Sequence, residues 1–222
     1  MSELVADDIT DFARTVGPQP DEILTEMDEY GKEIGFPTVG PAVGGWLATL
    51  ARLVDAERVF EFGSGFGYSA YWFARALPPT GEVVLTEIDA DELDRAREYF
   101  DRGDLTERAT FEQGDAIDYA RDYEGPFDVV LIDNEKHRYE EAFDAIREKV
   151  APGGVVIADN AMTSTSVDFE TVLEIAEGGT VEDANESTRG VAAYLAQVRA
   201  DPDFETAAIP LGEGITVSHH VA

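Results

Sequence analysis

The 222-residue chain is 44% hydrophobic and 28% charged, enough apolar material for a sizeable core and unlike a disordered tail. It has no cysteine, which excludes disulfides, thiolate metal sites and cysteine nucleophiles. Its 47 acidic residues against 16 basic ones give a formal net charge of -31, which weighs against binding a nucleic-acid backbone. The acids are spread along the whole chain and only three residues are lysine, so the charge describes an environment: a halophilic protein of a salt-loaded cytoplasm. No apolar run approaches the roughly 20 residues of a membrane span, and the N-terminus is acidic where a signal peptide is basic. The expected location is cytoplasmic, with no membrane partner.

The first 57 residues read as helical, with one helix over 20–30 and another over 41–53, each opened by proline. Strands and helices then alternate. A strand over 58–62 leads through a glycine-rich turn to a helix over 68–76. A strand over 82–87 precedes a helix over 91–100, and a third strand covers 109–113. The apolar run 127–132 reads as a doubly buried parallel strand. A helix over 137–150 ends at Pro152-Gly153-Gly154, followed by a fifth strand over 155–158. An acidic helix and loop over 165–187 precede a helix over 188–199. Strands over 204–209 and 215–219, joined by a short link, form a closing hairpin. The predicted architecture is α/β: a Rossmann-like, doubly wound, mostly parallel seven-stranded sheet with an antiparallel C-terminal strand. The chain reads as a single domain over 1–222, with a helical cap over 1–57 and the core over 58–222.

In such a sheet ligands bind beyond the carboxyl ends of the strands. After the first strand come Gly63, Gly65 and Gly67, which fit a tight turn or a close approach to a ligand; neither dinucleotide nor P-loop spacing is present. Glu87 ends the second strand, where an acid suits ribose hydroxyls. Asp115 and Ala116 follow the third strand and suit the side wall of a purine, although an Asp there serves equally as a helix cap. The fourth and fifth strands end in Asp133 and in Asp159-Asn160, three oxygen donors side by side that suit Mg²⁺, Ca²⁺ or Mn²⁺. Lys136 stands three residues past Asp133, and a lysine beside a bound cation is a usable base. The three histidines lack metal-site spacing, and Tyr68, Tyr71, Trp72 and Phe73 on one helix read as core.

Five segments in order resemble the cation-dependent O-methyltransferases, the group of class I S-adenosylmethionine methyltransferases containing the caffeoyl-CoA and catechol enzymes. They are V-F-E-F-G-S-G-F-G-Y-S over 59–69, T-E-I-D over 86–89, L-I-D-N-E-K-H-R-Y over 131–139, I-A-D-N over 157–160 and P-L-G-E-G-I-T over 210–216. The resemblance implies that Val39, Glu61, Gly63 and Ser69 hold the methionine part of S-adenosylmethionine. It implies that Glu87 binds the ribose and that Asp115 and Ala116 border the adenine. It further implies that Asp133, Asp159 and Asn160 bind Mg²⁺ or another divalent cation, that Asp133 also faces the cofactor, and that Lys136 is the base. The implied partners are a small acceptor with vicinal oxygens and a second copy in a homodimer. The segment 161–166 lacks the aromatic expected in the caffeoyl-CoA type, and few basic residues are available for a CoA thioester. Two other functions compete: methylation of a hydroxylated tRNA uridine, and a non-catalytic cofactor sensor.

Overall fold

The computed structural model describes residues 7–221; of the N-terminal residues 1–8, read above as unlike a signal peptide, 1–6 lie outside the described residues. Among the described residues seven strands form one sheet: β1 (Arg58–Phe62), β2 (Glu82–Glu87), β3 (Ala109–Gln113), β4 (Phe127–Ile132), β5 (Val150–Ala158), β6 (Phe204–Ile209) and β7 (Ile215–His220). Their order is β3-β2-β1-β4-β5-β7-β6. The first five run parallel, and β7 lies antiparallel to both β5 and β6. This is the mostly parallel α/β sheet expected.

Side chains alternate along a strand, so a sheet covered on both faces feeds two cores. Val59, Leu85, Val129, Leu131 and Ile157 enter one. The helices that cover this face are α2 (Glu22–Ile34), α3 (Gly40–Leu53), α4 (Tyr68–Ala76) and α5 (Ala90–Arg102), with α1 (Asp7–Val16) packed on α3. Phe60, Phe62, Val130, Ile132 and Val156 enter the other core, under α6 (Ala116–Asp122), α7 (Tyr139–Ile146), α8 (Phe169–Ala176) and α9 (Glu186–Ala200). Tyr68, Tyr71, Trp72 and Phe73 are buried in the first core, as read from the sequence.

The bounds of three elements differ from expectation in ways the local structure explains. The helix expected over 137–150 is the shorter α7, flanked by 3-10 turns at Lys136–Arg138 and Arg147–Lys149. Strand β5 begins at Val150 and runs through the Pro-Gly-Gly segment that looked like a helix stop. Val150 pairs with Phe127, the register then shifts, and Val155 pairs with Val129. The proline and glycines therefore occupy a bulge, where a missing N–H and a positive φ (80° at Gly153) are tolerated. Helix α9 starts earlier than expected because Asn185 caps it, accepting from Thr188 N at 2.8 Å.

Chain direction along the sheet reverses its winding at β1 and β4, which are neighbours although β2 and β3 lie between them in sequence. Crevices open at such a switch point, beyond the carboxyl ends of the strands.

Candidate active site

A cavity of about 720 Å³ opens at this point. The loops after β1, β2, β3, β4 and β5 line it, together with the segment before α3 and the β6–β7 link.

The glycine turn forms its floor. Gly63 has φ 77°, and a Cβ there would lie 2.9 Å from the Asp133 carbonyl oxygen and 3.0 Å from Asn134 Cα. Glycine is what lets the β1 and β4 loops meet. Gly65 donates its N–H to Glu87 Oε2 at 2.8 Å, and Asp89 N donates to Glu87 Oε1 at 3.0 Å. Two backbone donors thus fix the Glu87 carboxylate at the end of β2, while Asp89 caps α5.

Glu61 is fully buried behind this turn and does not itself line the cavity. Its Oε1 accepts from Ser69 Oγ, and its Oε2 has no partner. Burial pushes its pKa up to about 8, a rise opposed by the Ser69 hydrogen bond and reinforced by the charge of Asp133. An unpartnered buried carboxylate oxygen fits an ammonium group.

Asp115 is a helix cap that also faces the cavity. Its Oδ1 caps α6 by accepting from Ile117 N at 2.9 Å, and its Oδ2 accepts from Arg138 at 2.8 Å. It lines the cavity with Ala116, and Val39 lines it at the start of α3.

Asp133 and Asp159 each follow a paired position, Ile132 opposite Ala158, so adjacent parallel strands present them side by side. Asp133 Oδ1 accepts from Lys136 Nζ at 2.7 Å. Burial raises the Asp133 pKa and the Lys136 charge pulls against that rise. Asp159 is 5% exposed and its Oδ1 has no partner. Burial first, then the Asp133 charge, raises its pKa to about 7. Asn160 follows at φ 49°, and its Nδ2 donates to Glu213 Oε2, which leaves its amide oxygen free to act as a ligand. The donors are two carboxylates and an amide; no group of three or more His, Cys, Asp or Glu side chains suited to a metal occurs among the described residues. A buried carboxylate oxygen without a partner, beside a second carboxylate and an amide oxygen, fits a hard divalent cation.

Apart from Glu61, every candidate residue lines this one cavity. Two further residues were not singled out from the sequence. Arg138 bridges Asp115 and Glu141, tying the turn that carries Lys136 to the start of α6. Glu213, in the β6–β7 link, stands beside Asn160. Its position follows from β7 running antiparallel to β5: Thr216 pairs with Ala158, so the link must return to the end of β5. His137 lies exposed in its turn, and His220 stacks on Phe204 with Nδ1 near the Val150 and Ala151 carbonyls, a structural place.

The O-methyltransferase family profile matches residues 19–221. A catechol O-methyltransferase from Niastella koreensis is 35% identical over 134 residues, 58% of this chain and 60% of that protein. The chain thus matches about six tenths of that relative's length. The O-methyltransferase TomG from Streptomyces achromogenes, involved in tomaymycin synthesis and solved with SAM, superposes with a TM-score of 0.83 at 25% identity over 100% of both chains. An O-methyltransferase from Bacillus cereus, solved with SAH, shares the fold with a TM-score of 0.82 at 23% identity over 96% of this chain and 97% of that one. The chain belongs to the cation-dependent O-methyltransferase family, the catechol and caffeoyl-CoA group of the class I S-adenosylmethionine methyltransferases.

Proposed function

We propose that the chain transfers a methyl group from S-adenosylmethionine to one hydroxyl of a small acceptor with vicinal oxygens, with the help of Mg²⁺ or another divalent cation. The observation that carries this reading is the buried, unpartnered Asp159 Oδ1 beside Asp133, in the same cavity as the glycine turn. When bound, the cofactor supplies an electrophilic methyl on a positively charged sulfur, and the cation supplies charge that stabilises an acceptor oxyanion.

The chain's own residues do the rest. Gly63 and Ser69 at the cavity floor, Val39 at its wall and the free Oε2 of Glu61 behind it would hold the methionine part. Glu87, its carboxylate fixed by two N–H donors, would take the ribose hydroxyls, and Asp115 and Ala116 would flank the adenine. Asp133, Asp159 and Asn160 would hold the cation. Lys136 Nζ lies 2.7 Å from Asp133 Oδ1. With the cation taking Asp133, Lys136 in its neutral form would accept the proton of the acceptor hydroxyl. The methyl would pass to that oxygen as its bond to sulfur breaks, the electron pair staying on sulfur. Holding both reactants in line contributes up to roughly 7–11 kcal/mol in favourable cases.

Asp159→Ala tests this reading. Methyl transfer to a catechol should fall by more than the roughly 10–100-fold that even a supporting residue of a metal site costs, while cofactor affinity stays within a few fold. Full activity of the unaltered chain in excess chelator would overturn the metal's part.

A further inference from the structure

The cations facing the cavity are already matched by acids. Among the described residues that line it, the only Lys, Arg or His side chains are Lys136 and Arg138. Lys136 Nζ lies 2.7 Å from Asp133 Oδ1; Arg138 donates to Asp115 at 2.8 Å and to Glu141 at 3.1 Å. Against these two stand six lining carboxylates: Glu87, Asp115, Asp133, Glu135, Asp159 and Glu213. A dication and a sulfonium cofactor bring three positive charges, one fewer than the excess of acids, so the loaded cavity keeps a negative bias.

The bias has a place. Asn160 marks the end of the cavity where the acceptor must sit on the reading above. Around it the wall consists of Ser164, Thr165, Ser166, Gly212 and Glu213: hydroxyls, a glycine and a carboxylate. Glu213 is exposed at the mouth and its carboxylate accepts from the Asn160 amide. An acceptor whose ring carries a second anionic group would have to hold it against this wall with no free cation among the described lining residues to meet it. Like charges a few ångströms apart at a protein surface repel strongly enough to cost about tenfold in affinity, an effect that salt screens.

We propose that the cavity selects its acceptor by charge. An aromatic vicinal diol with a neutral or amine-bearing substituent is accepted, whereas one bearing a carboxylate, or a phosphate-bearing thioester such as a CoA ester, is rejected. This rests on the function proposed above and narrows its substrate class.

Three matched acceptors test it on the full chain with Mg²⁺ and S-adenosylmethionine at one pH and ionic strength: dopamine, 4-methylcatechol and 3,4-dihydroxyphenylacetate. We expect kcat/KM for the first two to agree within a few fold and the carboxylate to fall at least about tenfold below them, the gap closing as salt is added. Calorimetric binding of the same three compounds to the S-adenosylhomocysteine complex should give the same order. Glu213→Gln removes the charge but keeps an oxygen that can accept from Asn160. Its amine-to-carboxylate ratio of kcat/KM should drop several fold, a comparison within one variant that does not depend on its total activity. Equal or better use of the carboxylate acceptor overturns the proposal while leaving the methyltransferase reading intact. An unchanged ratio in Glu213→Gln removes Glu213 from it, and failure to methylate any of the three overturns both.

Discussion

Glu61 shows how much a single burial changes. The motif places it one residue before the end of β1, but nothing local to the sequence says that its carboxylate is fully enclosed with one oxygen unpartnered. Enclosure lifts its pKa to about 8, so the folded chain keeps a proton that the unfolded chain releases near the ordinary value of 4.5. Stability from this group is therefore fully present below about pH 4.5 and is lost as pH rises towards 8. Asp159, raised to about 7, acts with the same sign. Denaturation of the cofactor-free chain should show stability falling across this range by an amount on the order of a few kcal/mol. Glu61→Gln should flatten part of that slope, and an unchanged slope would mean the carboxylate is better solvated than its enclosure implies. Lysine scarcity is a second residue-scale lesson. It singled out Lys136, which does line the cavity, yet Lys149 is as rare and serves a different end. Its Nζ donates to the Ala120, Arg121 and Tyr123 carbonyls at 2.6, 2.7 and 2.7 Å, closing the C-terminal end of α6. Rarity marked both residues; only position separated the cavity lysine from the cap.

At the scale of elements, the strands were legible because each is a short apolar run bounded by turn residues, and a cavity lined by the candidate residues was legible because such crevices open at strand ends. The β5 bulge was illegible: Pro-Gly-Gly stops a helix as well as it bends a strand, and only pairing with Phe127 decides. Contacts across long sequence separations were equally hidden. Helix α9 packs directly on the 3-10 turn Lys136–Arg138. The approach depends on Gly190, where a Cβ would lie 2.3 Å from the Lys136 carbonyl oxygen and 2.5 Å from His137 Cα. Gly190→Ala should therefore displace the turn that carries Lys136. An alanine within a helix ordinarily stabilises by about 1 kcal/mol relative to glycine. Here we expect no gain in Tm and a fall in kcat of several fold, with KM for S-adenosylmethionine changing less. A higher Tm with unaltered kcat would show that the turn yields freely and that Gly190 has no part in placing Lys136.

For the whole molecule the dominant quantity is the net charge of -31. Its sign and spread were readable at once, but its energetic consequence depends on what the cations do in the fold. Most arginines with acidic neighbours are already committed to surface pairs such as Arg97–Asp94, Arg102–Glu26 and Arg121–Glu141. Exposed pairs contribute only about 0–1 kcal/mol each, so they do not offset the repulsion among the acids left over. That repulsion acts over a Debye length of about 10 Å at 0.1 M salt and about 3 Å at 1 M. The two salt effects therefore oppose each other unequally: screening weakens a handful of weak attractions and a far larger number of repulsions. A salt-adapted chain should gain a few kcal/mol between these conditions, which for a domain of this length raises Tm by roughly 5–10 °C. Thermal melts in KCl and in NaCl should rise together, since screening does not distinguish the two cations. A flat or falling Tm over that range would mean that the acids are spaced widely enough not to feel one another, and the charge would then carry no information about the environment for which the chain is built.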